Sequence, residues 1–538
     1  MERKWWSLIV VCVAIFMLLL DITVVNVALP SIQRSLHASF QDLQWVVNAY
    51  SLTLAAVLLT AGALADLWGR RMVFVLGLAV FTASSALSGL SVSPLMLNLA
   101  RGAQGIGGAM MFATSLALIA QAFHGKERGV AFGVFGAVTG GAVAIGPLIG
   151  GVITTGIGWE WIFFVNVPIG LLAILAALAR VEESRDPNAR GADWVGVVTF
   201  SGSLFLLVFA LVQGNESGWG SAKIVGFLAG SAVLLALFIA AELAQERPML
   251  DLSLFRRPAF GGASLVAFAL SGSAFALFLF LTLYMQTVLG YSALQTGLRF
   301  LPTTLVMFAV SPLAGRLTVH VPVRLLLGAG LLFIAGGLLA MTAVEPSSGW
   351  TVLIPGFVLQ GIGVGFVNPP LASTAIAVVP PERSGMASGI NSTFRQVGIA
   401  TGIAALGAIF QHELTSRASA VLSASGHARE ALAALHAPLG PSLQSGAAAA
   451  LARHLPAQVG GALRHAYRVG FVDAMSTILI IAAALALAGA ALAVVMVRTR
   501  EFAVYEHPGS EAPATGETTG ATGAEGEALA PPAGASAA

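Results

Sequence analysis

Gln104-Gly105-Ile106-Gly107 returns 256 positions later as Gln360-Gly361-Ile362-Gly363. The likeness continues downstream. Glu127-Arg128-Gly129-x-Ala131-x-Gly133 is matched by Glu382-Arg383-x-Gly385-x-Ala387-x-Gly389. Both copies lie in or beside long apolar stretches, so the chain reads as two related halves built within a bilayer. In proteins of that plan a solute site sits between the halves, near mid-membrane. The repeat therefore points to movement of a solute across a membrane.

Composition agrees. Of 538 residues, 57% are hydrophobic and only 10% charged, with a mean hydropathy of +0.87. Soluble domains average about 25% charged residues. One helix needs about 20 residues to cross roughly 30 Å of hydrocarbon. Apolar runs of that length fall at 7–28, 45–65, 72–92, 95–121, 129–154, 161–180, 194–213, 222–244, 259–288, 296–317, 323–343, 351–379, 386–411 and 473–497. The fold class expected is thus all-α and polytopic, with fourteen spans. The first run lacks a small-residue cleavage site and is too long for a signal-peptide core, so it is expected to stay as span 1.

Lysine and arginine set the expected orientation. Arg3, Lys4, Arg70, Arg71, Lys126, Arg128, Arg316, Arg383 and Arg498 fall on one side, whereas the short opposite loops carry only Arg34 and Lys223. By the positive-inside rule both termini are cytoplasmic. The repeat pairs span 4 with span 12 and span 5 with span 13. Residues 1–182 then form one six-helix bundle, 183–250 two inserted helices, and 251–502 the second bundle. An outward loop with short surface helices is expected over 412–470, and a disordered cytoplasmic tail over 503–538.

Few residues carry chemistry. The only cysteine, Cys12, lies in an apolar run, and no histidine falls within a span. No metal site, cofactor, catalytic set or nucleic-acid-binding surface is therefore expected. Asp21 lies in span 1, in its outer third. An ionisable group there costs roughly 2.5–3.5 kcal/mol on insertion scales, so it should face a cavity or a partner. Either it exchanges protons, or it is solvated near the surface, or it fixes helix packing. Arg101 in span 4 cannot shed its proton and needs acceptors. Asp21 would satisfy it, and so would backbone carbonyls. The repeat places Phe357 opposite Arg101, so one half alone has this charge.

The turn between spans 2 and 3 reads Gly62-Ala63-Leu64-Ala65-Asp66-Leu67-Trp68-Gly69-Arg70-Arg71. Gly62 permits close helix approach, Asp66 can cap a helix N-terminus, and Arg70 with Arg71 can close a charge network. A plain topogenic basic turn is the alternative. Span 5 holds Gly141, Gly146-Pro147 and Gly150-Gly151, a kinkable helix with a smooth packing face.

These motifs, together with Trp159-Glu160-Trp161-Ile162-Phe163-Phe164-Val165-Asn166-Val167-Pro168-Ile169-Gly170, resemble the major facilitator superfamily. More narrowly they are similar to its fourteen-helix drug:proton antiporter branch, the EmrB/QacA type. The likeness runs from about Ser7 to Arg500 and includes Gly290-Tyr291-Ser292-Ala293 and Asn391-Ser392-Thr393-Phe394-Arg395-Gln396. The resemblance implies a conformational-switch loop at Gly62, Asp66, Gly69, Arg70 and Arg71, and proton coupling at Asp21 and Arg101. It implies an antiporter helix at Gly141, Gly146, Pro147, Gly150 and Gly151. One departure is Glu160, where the family pattern has arginine.

The activity implied is alternating-access export of lipophilic, cationic or neutral drugs across the cytoplasmic membrane, driven by a proton gradient. From helix position, Tyr50, Met110, Met111, Phe135, Phe278, Tyr284, Gln286, Phe357, Gln360, Asn391 and Arg395 are candidates for lining the cavity. Arg395 would receive an anionic substrate or pair with carbonyls. Expected partners are a small lipophilic molecule, protons and lipid, with periplasmic adaptors in a double-membraned bacterium. A dedicated exporter of a metabolite, lipid or natural product is the alternative, and a non-transporting receptor a remoter one.

Overall fold

A computed structural model describes residues 2–123, 125–185, 193–245, 248, 250, 252–318, 320–377, 384–435 and 455–497. Its long elements are helices. α1 (Arg3–Leu36), α2 (Phe40–Trp68), α3 (Arg70–Gly89), α4 (Pro94–Ala122), α5 (Gly125–Gly156) and α6 (Trp161–Arg180) make the first half. α7 (Trp194–Ser217) and α8 (Ala222–Ala244) are the insert. α9 (Pro258–Val288), α10 (Ala293–Leu317), α11 (Val323–Met341), α12 (Ile354–Ala377), α13 (Ser384–Ala424) and α14 (Ala457–Met496) make the second half. Among the described residues twelve helices are long and apolar enough to cross a membrane. α2 and α5, whose side chains are described only in part, are 29 and 32 residues long.

Local sequence explains several helix starts, and the starts repeat. Ser39 opens α2 with a capping box to Asp42, and Ser292 opens α10 with the same box to Gln295. Packing repeats as well. α2 packs on α4, α3 on α4 and α1 on α5; in the second half α10 packs on α12, α11 on α12 and α9 on α13. The halves meet through α5 with α10, α2 with α13, and α1 with α9. The insert pairs α7 with α8, and α7 covers the α2–α13 seam. There Leu204, Val208 and Val212 bury against Leu52, Ala400 and Ala404, and the Asn215 amide donates to the Ala408 carbonyl.

Two boundaries differ from expectation. α1 runs through Pro30 to Leu36, so Asp21 sits near its middle rather than in its outer third. Within 412–470 the described residues are mostly helical rather than loop. α13 continues to Ala424 and α14 already begins at Ala457, giving helices of 41 and 40 residues. Their alanine content favours helix, and the extensions bury Ala418 and Leu422 with Val459 and Leu463 in one apolar cluster. A short helix over Ala428–Leu435 follows α13. The insert's leading residues 186–192, the 436–454 stretch and the 503–538 tail lie outside the described residues.

The ends of the bundle differ in how tightly the halves meet. We call the end holding Arg3 the near end and the opposite one the far end. At the far end Gln44 donates to the Ile403 carbonyl at 2.8 Å, and Gln286 donates to the Val27 carbonyl at 2.8 Å. The Leu294 amide donates to the Thr155 hydroxyl, and the Phe40 ring stacks on Phe410. Glycines trace the same seam along α5 and α10. A methyl at Gly151 would meet the α10 backbone at Ala293, and one at Gly297 would meet the Pro147 carbonyl. Gly136 shares a face with Pro147, and Gly315 with Gly297, by helical spacing. Both have open space beside them. Among the described residues, then, the halves touch at the far end and stand apart beside Gly136 and Gly315 toward the near end.

Candidate functional site

The charge pair anticipated in the first half is present. Arg101 Nη1 donates to Asp21 Oδ2 at 2.5 Å, with side-chain exposures of 2% and 0%. α1 supplies the acid, and α4, capped by Ser93 and started by Pro94 at its first position, supplies the base. Gln104, one turn after Arg101, bridges the two. Its Oε1 accepts from Arg101 at 2.7 Å and its Nε2 donates to Asp21 Oδ1 at 3.0 Å. Asn166 of α6 approaches Asp21 Oδ1 at 3.5 Å and also donates to Ser85 of α3. Ser85 in turn donates to the Phe163 carbonyl. Arg101 Nε donates to the Val46 carbonyl, and the guanidinium lies over the Tyr50 ring at 4.4 Å.

Both alternatives for Arg101 are thus realised at once: it pairs with the acid and with a carbonyl. Such a pair holds together only because its remaining donors and acceptors are filled as well. Gln104 and Asn166 were quoted in the sequence without a role. The signal available was an amide one helical turn from a buried arginine, and a lone asparagine in an otherwise apolar span.

The second half replaces this polar cluster with rings. Phe357, the repeat's counterpart of Arg101, lies 5.6 Å from Phe300, itself 5.1 Å from Phe278. Gln360 takes the place of Gln104 and is buried.

The turn from α2 to α3 also forms a network, by a route the sequence did not indicate. Glu183, just past α6, caps α3. Its carboxylate accepts from the Arg71 and Met72 amides at 2.9 and 3.1 Å, and Arg71 Nε lies 3.7 Å from it. Asp66 was expected as a cap; its side chain lies outside the described residues. Gly69 has φ +113°, and a Cβ there would run into Glu183. The Arg70 amide donates to the Ser184 carbonyl. Gly62 has open space beside it, so it is not the close-approach glycine expected. Arg3 with Glu182 and Lys4 with Glu127 extend the near-end charges, all within the first half.

On α5 the glycines divide. Gly146 packs on Thr23 and Gly150 on the Val24 backbone, while Gly151 and Pro147 meet α10. Gly141 faces open space instead of a neighbouring helix.

Most cavity candidates are packed inside a half in this conformation. Met110 and Met111 belong to first-half clusters, and Tyr50 lies against Arg101. Phe357, Gln360 and Tyr284 are at most 1% exposed, and Asn391 donates to the Ala263 carbonyl. Their apolar or amide side chains fill helix–helix contacts more readily than they line an aqueous gap. Gln286 serves the far-end closure. Phe135, Phe278 and Arg395 remain partly exposed. Glu160, also partly exposed, sits at the far end just before α6.

Comparison with known proteins places this geometry. The profile of the Major Facilitator Superfamily matches residues 11–403, well over half of the chain. The multidrug resistance protein Stp of Mycobacterium tuberculosis (strain CDC 1551 / Oshkosh) is 39% identical over 404 residues, 75% of each chain. The tetracenomycin C resistance and export protein of Streptomyces glaucescens is 33% identical over 528 residues, 96% of each chain. Among solved structures, a bacterial homologue of the human lysosomal transporter Spinster, captured inward-facing and unoccupied, superposes with a TM-score of 0.58. It is 19% identical and covers 91% of this chain and 97% of its own. Two packed halves, their repeated contacts and these matches lead to one conclusion: the chain is a multi-pass membrane protein and belongs to the Major Facilitator Superfamily.

Proposed function

We propose that this protein exports lipophilic drugs across the cytoplasmic membrane in exchange for protons, with both termini in the cytoplasm. One observation supports the reading above others. A fully buried carboxylate in α1 is held by an arginine and two amides inside the first half, and the two halves stand apart toward the near end. With the near end cytoplasmic, the gap is open to the cell interior and ready to receive a drug.

In this scheme Asp21 is the proton carrier. Protonation removes its charge, so Arg101 loses its counter-ion while Gln104 and Asn166 still hold the neutral carboxyl. The drug-loaded form with Asp21 ionised makes the outward turn: the far-end contacts of Gln44, Gln286 and Gly151 part, the near end closes, and the drug leaves. Asp21 then takes up a proton from outside, and the protonated form returns to the near-open state and releases it inward. A proton moving inward across a 100 mV potential supplies about 2.3 kcal/mol before any pH difference is added.

The test is efflux of ethidium from cells of a pump-deficient host expressing the chain, with and without a protonophore. Expected is energised efflux that the protonophore abolishes. Efflux unaffected by the protonophore, or none above the empty host, refutes the reading. A second reading, export of one self-made natural product, is favoured by the end-to-end match to a protein named for tetracenomycin C resistance and export. A drug panel showing protection against a single compound class would decide for it.

A further inference from the structure

The mechanism above uses the paired arginine of α4 and leaves the second intramembrane arginine, Arg395 of α13, without a task. Arg395 is partly exposed, and among the described residues it forms no ion pair or hydrogen bond with any group. That contrasts with Arg101, which is fully partnered.

Its direction follows from the faces of its helix. Asn391, Gly398 and Gly402 of α13 meet α9 at Ala263, Phe268 and Gly272. Ala400 and Ala404 meet the insert. The remaining strip, at spacings of four, four, three and four, is Arg395, Ile399, Ile403, Leu406 and Phe410, one face of a 3.6-residue helix. At the far end this strip meets the opposite half: Gln44 reaches the Ile403 carbonyl and Phe40 stacks on Phe410. Followed toward the near end, where the halves diverge, the strip leads to Arg395. By helix position Arg395 therefore stands on the face turned to the gap, about 12 Å nearer than the Ile403 closure at 1.5 Å per residue. Asp21 is about 9 Å nearer than the Val27 closure by the same rise. Beside Arg395, the Gln396 amide oxygen is buried and has no donor among the described residues.

A guanidinium keeps its charge at any physiological pH and presents five donors in a flat fork suited to carboxylates. The intramembrane carboxylate of the other bundle, Asp21, is sealed and already saturated. We infer that Arg395 is the anchor for an anionic oxygen of the transported molecule. The substrate class so recognised is an aromatic or lipophilic compound bearing a carboxylate, phenolate or enolate, with a hydroxyl or amine free to donate to Gln396. This deepens the export reading and rests on it for its transport meaning, but binding at the site is measurable without export.

The experiment is equilibrium binding to the purified full-length protein in detergent, followed by fluorescence anisotropy. One probe is fluorescein, an aromatic carboxylate, and the other ethidium, an aromatic cation. The variants are Arg395→Gln and Arg395→Lys, each required to match the parent in size-exclusion profile. Expected is saturable fluorescein binding that weakens at least tenfold in Arg395→Gln and far less in Arg395→Lys. Ethidium should bind tighter once the positive charge is gone. The inference is overturned if the parent does not bind fluorescein. It is equally overturned if Arg395→Gln weakens both dyes alike, or if Lys is as damaging as Gln for fluorescein. Failure of protonophore-sensitive ethidium efflux, with this binding pattern intact, would instead count against the export reading alone.

Discussion

Asp21→Asn keeps the shape of the side chain and removes its charge, which isolates the central pair. In the variant Arg101 stays buried with neutral acceptors only, the Val46 carbonyl, Gln104 and the new amide oxygen. Removing one partner of a buried ion pair costs about 3–5 kcal/mol, because the other charge is left uncompensated. Arg101→Gln, which strands the carboxylate, should cost a similar amount despite the donors from Gln104 and Asn166. The double variant buries no charge at all, so its loss should fall short of the sum by about 2–3 kcal/mol. Reversible unfolding of the four proteins in mixed micelles containing SDS measures that cycle. Because the pair is shut away from solvent, the coupling should also survive a rise in salt that would screen a surface pair. Additivity to within about 0.5 kcal/mol would show that the two groups do not depend on each other. The account of the site would then be wrong.

Gly69→Ala should destabilise the near end by about 1–3 kcal/mol, since an alanine must take φ +113° and press on the Glu183 carboxylate; unfolding in the same micelles reads the loss. Gly151→Leu should wedge α5 from α10 at Ala293 and move the population toward a far-open form. A cysteine placed at Ile403 in a Cys12→Ser background would then label faster with a membrane-impermeant maleimide. An unchanged labelling rate would mean that this contact does not hold the far end shut.

The sequence was most legible where chemistry is costly. An aspartate and an arginine in apolar spans must find each other or water, so Asp21 and Arg101 were identifiable from burial cost alone. The repeat matches Phe357 to Arg101, and each lies against a ring, Phe357 against Phe300 and Arg101 over Tyr50. Identifying Glu183 as the cap of α3 was not feasible from spacing, since it lies 112 residues away in the chain. The cavity candidates fared worst. Methionines and aromatics pack and line with equal ease, and helix position fixes depth but not direction. The extent of α13 and α14 was hidden for another reason. Their far portions mix alanine with arginine and serine, which lowers hydropathy without lowering helix propensity.

The overhang of those two helices has a mechanical consequence. Forty-one residues of helix measure about 60 Å, roughly twice the hydrocarbon thickness, so α13 and α14, zipped together in their far portions, are longer than a bilayer crossing requires. Any rocking of the second half is magnified at their tip. A fluorophore or a rigid antibody fragment attached there would act as a pointer, reporting each turnover without touching the drug path.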